Sequence, residues 1–388
     1  MKTIKLYDID AYATNFEAEV ADCRKADEGF LVELDRTLFF PEEGGQSPDK
    51  GILGGQEVLD VQIDKEGSIT HLVGQEMPVG EKVSGSIDWR HRFSNMQQHS
   101  GEHIFSGTVN RLFGYNNVGF HLSNQIVTMD FDGVLTPEEV DRVELLVNEA
   151  IVSNIPIEVT FPSKEELEQL EYRSKIEIEG QVRIVTIPGV DVCACCAPHV
   201  RRTGEIGFLK VMSVQSYKGG VRISMLCGFR ALMAFREKAG VITELSGILT
   251  TGQEKLAESV TKLKNQTISL NNRLMQAKQE LLQIRLQEIP KEQSSVLIFE
   301  EDLEDAVIRI GVNRLVEQHD GICGIFSGDE ESGYKYIVGS KTKDCRELAA
   351  RMRQTLQARG GGSPAMIQGF VSATRSQICD VLQSNINM

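Results

Sequence analysis

Side chains of the types that bind metal ions are concentrated in two short segments of this chain. The first, His99-Ser100-Gly101-Glu102-His103, places two imidazoles four residues apart, and therefore on one face of a helix. The second, CACCAPH (residues 193–199), places thiols three, four and six residues before His199. Thiolate and imidazole are both ligands that suit Zn²⁺. The two segments together predict a tetrahedral zinc site made of two helix histidines, one cysteine and His199, and the spacing alone leaves the choice of cysteine open.

Other interpretations of these residues exist. A zincin protease has its glutamate directly after the first histidine, whereas Glu102 directly precedes the second, so a metalloprotease is poorly supported. Two histidines at this spacing also arise as buried or capping residues. Four protein ligands normally indicate a structural zinc, because catalysis needs an open or exchangeable position for water.

A third segment, RTLFFPEEGGQSPDKG (residues 36–51), is a long connection that follows an aromatic strand. Most Gly-Gly pairs are only turns. Here, however, the glycines stand beside Gln46 and Asp49 in one connection. Glycine lets the backbone approach a ligand closely, and Gln46 could then form a hydrogen bond with that ligand.

Composition limits the classes of protein that need to be considered. The chain has 388 residues and a formal net charge of −15, which excludes a generally basic protein that coats nucleic acid. Any nucleic acid must therefore be bound by a local basic patch. The first ten residues lack the apolar core of a secretory signal, and no run approaches the ~18 apolar residues of a membrane span. We expect a cytoplasmic protein without a membrane partner, whose clustered cysteines serve metal or redox chemistry.

The pattern of apolar and turn residues predicts an α+β chain in four segments. Residues 1–88 are predicted to form a small β-barrel or curled sheet that carries the glycine-rich loop. Residues 89–235 are predicted as an α+β zinc-binding domain whose main helix is capped by Asp88, runs to about Phe113 and stops at Gly114. Residues 236–290 are predicted as a helical linker, and residues 291–388 as an α/β domain.

The helical linker carries a heptad pattern over about four repeats. The apolar positions are Leu256, Val260, Leu263, Thr267, Leu270, Leu274, Ala277, Leu281 and Ile284. Such a seam belongs either to a spacer helix packed on its own chain or to a coiled coil that forms a homodimer, and both interpretations stay open. In the last segment, DCRELAARMRQTLQARGGG is predicted as a helix that ends in glycines.

Taken together, the three chemical segments resemble the editing domain of alanyl-tRNA synthetases and the free-standing AlaX editing proteins. The loop is similar to TxFYPxGGGQxxDxG with Glu43 in place of a glycine, the helix to HxxxH, and CCAPHVRRTGEIG to CxxxHVxxTGEIG. Cys196-Ala197-Pro198 stands where Gly-Gly-Thr is common. ARGGGSPAMIQGF (residues 358–370) resembles a motif of the DHH-associated C-terminal domain. The whole pattern resembles the long form of AlaX.

The resemblance implies zinc-assisted hydrolysis of mischarged tRNA(Ala), chiefly seryl-tRNA(Ala) and also glycyl-tRNA(Ala). It implies that one Zn²⁺ is bound by His99, His103, Cys195 and His199. A non-catalytic tRNA-binding module with a structural zinc is the alternative. The glycine-rich loop speaks against a threonyl-tRNA type of editor, and the lack of an acidic DHH motif speaks against a phosphoesterase.

On this basis we predict further site residues. Gln46 and His103 are the candidate catalytic residues, and the substrate pocket is predicted to include Thr37, Gln46, Gly119, Phe120 and His121, although packing is the favoured role for His121. Contacts with tRNA are predicted at two places, of which the second includes a phosphate nest of backbone N–H groups. They are Arg201, Arg202, Lys218 and Arg222 near the metal loop, and Arg351, Arg353, Arg359, Gly361, Gly362 and Arg375 in the tail.

Overall fold

A computed structural model of the chain describes residues 2–123, 125–174 and 180–383. The chain divides into two compact units, Met1–Ile242 and Thr243–Met388, here called the N-terminal and C-terminal units. Both mix helices and sheets, so the predicted α+β class is confirmed. The finer division into four segments, with boundaries at residues 88, 235 and 290, stays a prediction. The first predicted segment begins at position 1 and the last ends with residues 384–388, and these positions lie outside the described residues. In the described part of the chain, no helix combines the length and apolar composition that a membrane span requires.

The first part of the N-terminal unit is a curled seven-stranded sheet. Its strands run in the order β6-β5-β9-β2-β3-β8-β7, and a separate short pair joins β1 to β4. The elements are β1 (Ile4–Lys5), α1 (Leu6–Ile9), β2 (Asn15–Ala26), β3 (Gly29–Leu34), β4 (Arg36–Thr37), β5 (Gly51–Leu53), β6 (Gln56–Glu57), β7 (Asp60–Ile63), β8 (Ile69–Val73) and β9 (Lys82–Ile87).

Of the small barrel and the curled sheet that the sequence predicted, this sheet is the curled form, a half-barrel that is not closed. Strand β2 bends at an irregularity between Val20 and Asp22, so its first half pairs with β9 and its second half with β3. The edge strands β6 and β7 show no mutual pairing in the described residues. Only Val58 and Leu59 separate them, and their N–H groups bond to Gly51 and Leu72 on the two sides. The two-residue connection between β6 and β7 therefore lies where a closed barrel would have backbone hydrogen bonds between these two strands.

The second part of the N-terminal unit surrounds one long helix. A four-stranded sheet has the order β10-β11-β16-β15 and a three-stranded sheet has the order β12-β13-β14. The elements are α2 (Trp89–Phe113), β10 (Asn117–Leu122), β11 (Val127–Phe131), α3 (Pro137–Val152), β12 (Glu158–Thr160), α4 (Lys164–Glu168), β13 (Ile184–Ile187), β14 (Asp191–Ala194), β15 (Leu209–Tyr217), β16 (Gly220–Cys227) and α5 (Gly228–Leu249).

Helix α2 begins and ends where its sequence predicts. The Asp88 carboxylate accepts the N–H of His91 at its start, and Gly114 closes its end in the left-handed conformation with φ 73°. From Asn95 to Val109 every side chain is buried, although many of these residues are polar. Gly101 in its middle allows the close approach of β16, since a Cβ there would collide with the Cys227 sulfur. A buried polar helix needs partners for each polar group, and those partners define the site.

The C-terminal unit is a five-stranded sheet with helices packed on it. The strand order is β17-β18-β19-β21-β20, and only β17 and β18 pair in parallel. The elements are α6 (Leu256–Gln287), β17 (Val296–Glu300), α7 (Asp305–Gln318), β18 (Cys323–Asp329), β19 (Gly333–Gly339), α8 (Cys345–Leu356), β20 (Arg359–Gly362), β21 (Met366–Val371) and α9 (Arg375–Gln383).

Two predictions for this unit need correction. Helix α8 does not run into the glycines, because Gln357 ends it in the left-handed conformation and the glycine run forms the edge strand β20. The heptad seam of α6 is not its buried face. Val260, Leu270 and Leu281 are 50%, 60% and 62% exposed, whereas Leu282 and Leu286 are buried in the core beside α7.

A fully buried ion pair anchors the glycine-rich loop to α2. The Arg92 Nε lies 3.0 Å from both carboxylate oxygens of Asp49, and both side chains are 0% exposed. Asp49 also accepts the N–H of Phe40 at 2.7 Å, while Arg92 donates to the carbonyls of Leu38 and Ala11. The pair therefore ties both ends of the loop to the helix that carries His99 and His103.

We expect Asp49→Asn to destabilise the N-terminal unit by about 3–5 kcal/mol, because it leaves the Arg92 charge buried without a counter-charge. Urea unfolding followed by the fluorescence of Trp89, the sole tryptophan, measures this unit. The control is Asp10→Asn in the exposed Asp10–Arg201 pair, with an expected cost below about 1 kcal/mol. Equal midpoints for the two variants would contradict the anchoring role.

Candidate metal centre and the loop beside it

The structure brings the four predicted metal ligands together. His99 and His103 project from α2, Cys195 directly follows β14, and His199 lies four residues further on, with all four ligand atoms within 4.8 Å of one another. The Cys195 sulfur lies 3.4 Å from the Nε2 of His99 and 3.4 Å from the Nε2 of His199. Three imidazole nitrogens and one sulfur around a common point fit a tetrahedral metal ion. The coordinates thus also favour Cys195 among the three cysteines.

The second nitrogen of each histidine is held by a side chain outside the ligand set. Nδ1 of His99 lies 2.8 Å from Oε1 of Gln46, Nδ1 of His103 lies 2.9 Å from Oδ2 of Asp191, and Nδ1 of His199 lies 3.0 Å from Oγ of Ser100. Partners of this kind fix the ring orientation and leave Nε2 free for a metal. All three Nε2 atoms are therefore available to one ion.

The electrostatics of the cluster favour a bound cation. Burial alone would raise the pKa of the Cys195 thiol, but the three histidines around its sulfur hold that pKa well below its usual value. Burial lowers the pKa of His199 to about 3. For His103, burial acts to lower the pKa, yet the hydrogen bond to Asp191 raises it well above the ordinary value. A Cys195 thiolate, a neutral His199 and a His103 made more basic by Asp191 are all suited to bind a metal ion.

Sequence reasoning missed Asp191 and its partner Arg173. The Arg173 guanidinium donates to both oxygens of Asp191 at 2.8 Å, and Asp191 in turn holds His103. Asp191 begins β14, and alternate residues of a strand share a face, so Asp191 and Cys193 point the same way and the alternation leads to Cys195 directly after the strand. The alternation was a usable signal. The Arg173 contact was not, because no sequence pattern links residue 173 to β14.

The glycine-rich loop and β10 meet beside His99. The N–H of Leu122 donates to the carbonyl of Gly45 at 2.7 Å, and Gly45 has φ 81°, where a Cβ would collide with the carbonyl of Phe120. The Phe120 ring lies 4.8 Å from the His99 ring. Gln46 is 0% exposed, and its Nε2 has no hydrogen-bond partner among the described residues. A buried amide donor without a partner is costly, so it marks a position where a ligand could bind.

Three predicted substrate residues lie apart from these contacts. The Thr37 hydroxyl is buried in the half-barrel, 2.9 Å from Nε2 of His71, and accepts the N–H of Phe39. Gly119 faces the Asp130 carboxylate on the neighbouring strand. The side chain of His121 is exposed, so its interpretation as a packed histidine is wrong. A contact of these residues with substrate stays a prediction.

The predicted tRNA-binding arginines near the metal loop already have partners. Arg201 pairs with Asp10 and stacks over the Tyr12 ring, and Arg222 pairs with both carboxylate oxygens of Asp130 at 2.6 and 2.7 Å. Arg202 donates to the carbonyl of Asn154, and Lys218 lies 5.1 Å from the ring of Tyr217.

In the tail, Arg351 and Arg353 donate to the carbonyls of Val381 and Gly360, while Arg359 is exposed. Their role in tRNA binding stays a prediction.

Comparison with known proteins gives a consistent result. Residues 182–224, which include Cys195 and His199, match the family described as threonyl and alanyl tRNA synthetase second additional domain. The chain is 28% identical over 398 residues to the alanyl-tRNA editing protein AlaX-L of Pyrococcus horikoshii (97% of this chain, 96% of that protein). It is 26% identical over 380 residues to the alanyl-tRNA editing protein Aarsd1 of Danio rerio (93% and 92%). It is 31% identical to the alanine–tRNA ligase of Archaeoglobus fulgidus, over 98% of this chain but 44% of that protein. The resemblance stated from the motifs is confirmed along nearly the whole chain.

We expect Asp191→Asn to weaken metal binding by about 10- to 100-fold, because the loss of a carboxylate behind a ligand histidine lowers its basicity and frees its ring. Competition with a chromophoric chelator for Zn²⁺ or Co²⁺ measures this affinity directly. Arg173→Gln should give a smaller loss, and that loss should vanish in the Asp191→Asn background. Additive effects of the two changes would mean that Arg173 does not act through Asp191.

Proposed function

We propose that this chain, which resembles alanyl-tRNA editing proteins over nearly its whole length, is an aminoacyl-tRNA hydrolase. Its substrates would be tRNA(Ala) mischarged with serine or glycine, and its reaction the hydrolysis of the aminoacyl ester. The observation that carries this proposal is the convergence of three imidazoles and one thiol within 4.8 Å, beside a glycine-rich loop whose Gln46 offers a buried amide donor without a partner. A cytoplasmic location is part of the same proposal.

Zinc is the metal that best suits this donor set. Three nitrogens and one sulfur favour Zn²⁺ over the hard cations, which prefer oxygen. His99, His103, Cys195 and His199 would bind it. When bound, zinc would supply polarisation of a carbonyl group and a lower pKa for a bound water.

The residues of the chain would place the ester against this centre. Gln46 holds His99 through its Oε1 and keeps its Nε2 free to donate to an oxygen of the acyl group. Asp191 holds His103 in the orientation that the reaction needs. The Phe120 ring lies against the His99 ring, and the backbone at Gly45 lies against Phe120, while His99 is only 3% exposed. The hydrogen bonds of this frame exist before substrate arrives, so little reorganisation is needed on binding.

The preference for serine follows from the limits of size discrimination. An alanine pocket in a synthetase cannot strongly reject glycine, which is smaller, or serine, which adds one hydroxyl. A second, polar site can instead require that hydroxyl through a hydrogen bond. We assign this contact to the pocket that contains Gln46 and the Gly119–His121 strand, with Thr37 as a further candidate. The correct product, alanyl-tRNA(Ala), has no hydroxyl to satisfy such a site.

A tRNA-binding module with a structural zinc is the second candidate. It is favoured by the four protein ligands, because a structural zinc site is normally closed by four side chains. For hydrolysis, one ligand must yield, the coordination must expand, or the metal must only orient the ester while the ribose hydroxyl helps to activate water. The two candidates differ in a single measurable property, the fate of the ester.

The C-terminal unit would contribute tRNA contacts and a partner surface. Arg359 is exposed on the glycine strand β20, beside Gly361 and Gly362, and belongs to the predicted phosphate-binding group. The exposed heptad seam of α6 fits a coiled coil with a second copy of the chain. Both roles concern surfaces that the structure leaves open to solvent.

We expect metal-loaded protein to deacylate seryl-tRNA(Ala) and to leave alanyl-tRNA(Ala) intact. Glycyl-tRNA(Ala), which also lacks the hydroxyl but is smaller than the alanyl ester, should react more slowly than seryl-tRNA(Ala). Removal of metal by a chelator, or the substitution His103→Ala, should lower the deacylation rate by more than about a hundredfold, because either change disrupts the ligand set. Restoration of activity by added Zn²⁺ in the wild type, but not in the variant, is the control. Protein that binds the tRNA and leaves every ester intact would establish the structural-zinc module instead.

We also expect the chain to form a dimer that depends on the α6 seam. Leu263→Glu combined with Leu270→Glu should convert the dimer to monomer in sedimentation, because charges at core positions of a coiled coil are costly. Asn265→Glu, on the opposite side of the same helix, is the matched control and should leave the dimer intact. A wild-type chain that sediments as a monomer would leave α6 with the role of a spacer helix.

A further inference from the structure

The half-buried Arg230 side chain forms hydrogen bonds only with neutral groups in the described part of the chain. It is the third residue of α5, and its guanidinium donates to the Ser94 hydroxyl, the Ser123 carbonyl and the Asn95 side-chain oxygen, each at 2.7 Å. None of these hydrogen-bond partners is a carboxylate. Burial lowers the pKa of Arg230, which reflects the cost of keeping its charge away from water.

Other arginines withdrawn from solvent in the described part of this unit have a carboxylate partner. Arg92 is paired with Asp49, Arg173 with Asp191, and Arg183 with Asp8. A partly buried charge without a counter-charge is unfavourable on its own and attracts an anion. Arg230 differs from them, because its described partners supply no negative charge to balance its own.

The guanidinium contacts α2 one turn before His99. Asn95 precedes His99 by four residues, so both side chains lie on one face of α2, about 6 Å apart along the helix axis. The Asn95 amide contacts His91, whose ring bonds to the carbonyl of Pro48, two residues after Gln46. Ser123, the third partner, directly follows Leu122, which is bonded to Gly45. Arg230 thus bonds directly to α2 and to the end of β10, and it is connected to the glycine-rich loop through Asn95 and His91.

The guanidinium also has capacity for a ligand. It carries five N–H donors, and the hydrogen bonds within the described residues use three of them. Two N–H groups in the fixed guanidinium plane match the geometry of a phosphate group. Arg201 and Arg222, by contrast, are already paired with Asp10 and Asp130.

We propose that Arg230 binds the phosphate that precedes the terminal nucleotide of the tRNA acceptor end. The proposal rests on the proposed function for the identity of the substrate. The phosphate on the 5′ side of the terminal adenosine is the anion nearest to the aminoacyl ester along the nucleic acid. With the ester at the metal centre, a cation one helical turn from His99 is in a suitable place to receive it. A chain with a net charge of −15 needs such a local site to bind nucleic acid.

Two small substrates that differ only in this phosphate test the proposal. The zinc-loaded full chain is assayed with 3′-O-seryl-AMP and with 3′-O-seryl-adenosine. The wild type should prefer the phosphate-bearing ester by about tenfold or more in kcat/KM, which is the size of effect expected from a charge-assisted hydrogen bond. Arg230→Gln should lose this preference, because its KM should rise more for seryl-AMP than for seryl-adenosine. Arg230→Lys should retain part of the preference, because the charge remains while the bidentate geometry is lost.

A binding experiment gives an independent result. The affinity for uncharged tRNA(Ala) is measured at several salt concentrations, and Arg230→Gln should reduce the slope of log Kd against log salt by roughly one. Arg111→Gln is the matched control, because Arg111 is exposed in the last turn of the same helix α2 and bonds only to a backbone carbonyl. It should change neither the phosphate preference nor Tm.

The outcomes separate the two proposals. If the wild type hydrolyses no seryl ester, the proposed function fails, and the salt dependence still decides the role of Arg230. If Arg230→Gln loses activity equally on both small esters, the side chain is a structural tie between α2 and the β10–β11 turn, and the phosphate proposal is wrong. An unchanged phosphate preference and an unchanged salt slope would overturn it as well.

Discussion

The burial of a polar helix is the constraint on which the rest of the N-terminal unit depends. Helix α2 has buried histidine, glutamine, serine and glutamate side chains, and each needs a partner within the protein. Gln98 exchanges two hydrogen bonds with the backbone of Cys227, and Ser100 binds both His199 and the N–H of Val200. These bonds dock the strand β16 and the cysteine loop on the helix. The hydrogen bonds that satisfy the buried polar groups of α2 therefore also bring His199 beside His99 and His103.

The glycine-rich loop depends on this helix in a similar way. Its position is set by a buried charge, because Arg92 cannot lose Asp49 without a large penalty. Its shape is set by positive φ angles at Gly44 and Gly45, which let the loop backbone lie against β10. Gln46 directly follows these glycines, and its buried side chain has little conformational freedom. The loop thus presents its amide to His99 as a consequence of packing, before any metal or substrate is considered.

Residues with a local signal were predictable from the sequence, and those defined by distant contacts were not. Asp88 and Gly114 mark the ends of α2, and the spacing of His99, His103 and His199, with the motif for Cys195, identified the ligands. Asp191, Ser100 and Arg173 escaped because their roles arise only when separate segments meet. In two places, the first sheet and the glycine run after α8, the local sequence pattern is compatible with more than one structure. Turn-separated short strands do not distinguish a closed barrel from a half-barrel, and glycines after a helix serve equally well as a stop or as an edge strand.

The geometry also couples the metal centre to substrate recognition. Gln46 uses one end of its amide to orient His99 and leaves the other end unpaired, so a change in the loop affects both functions. Asn95, on the same helix face, connects the turn before His99 to Arg230 and, through His91, to the loop at Pro48. The candidate ligand His99, the proposed acyl contact Gln46 and the side chain of Arg230 are therefore connected through one set of hydrogen bonds and the loop at Pro48. Because Gln46, Asn95 and His99 in this set are buried, a shift of one of them must displace its neighbours or leave an unsatisfied bond. A rigid site of this kind can discriminate by a single hydroxyl, since a substrate that fails to match it cannot be accommodated by local rearrangement.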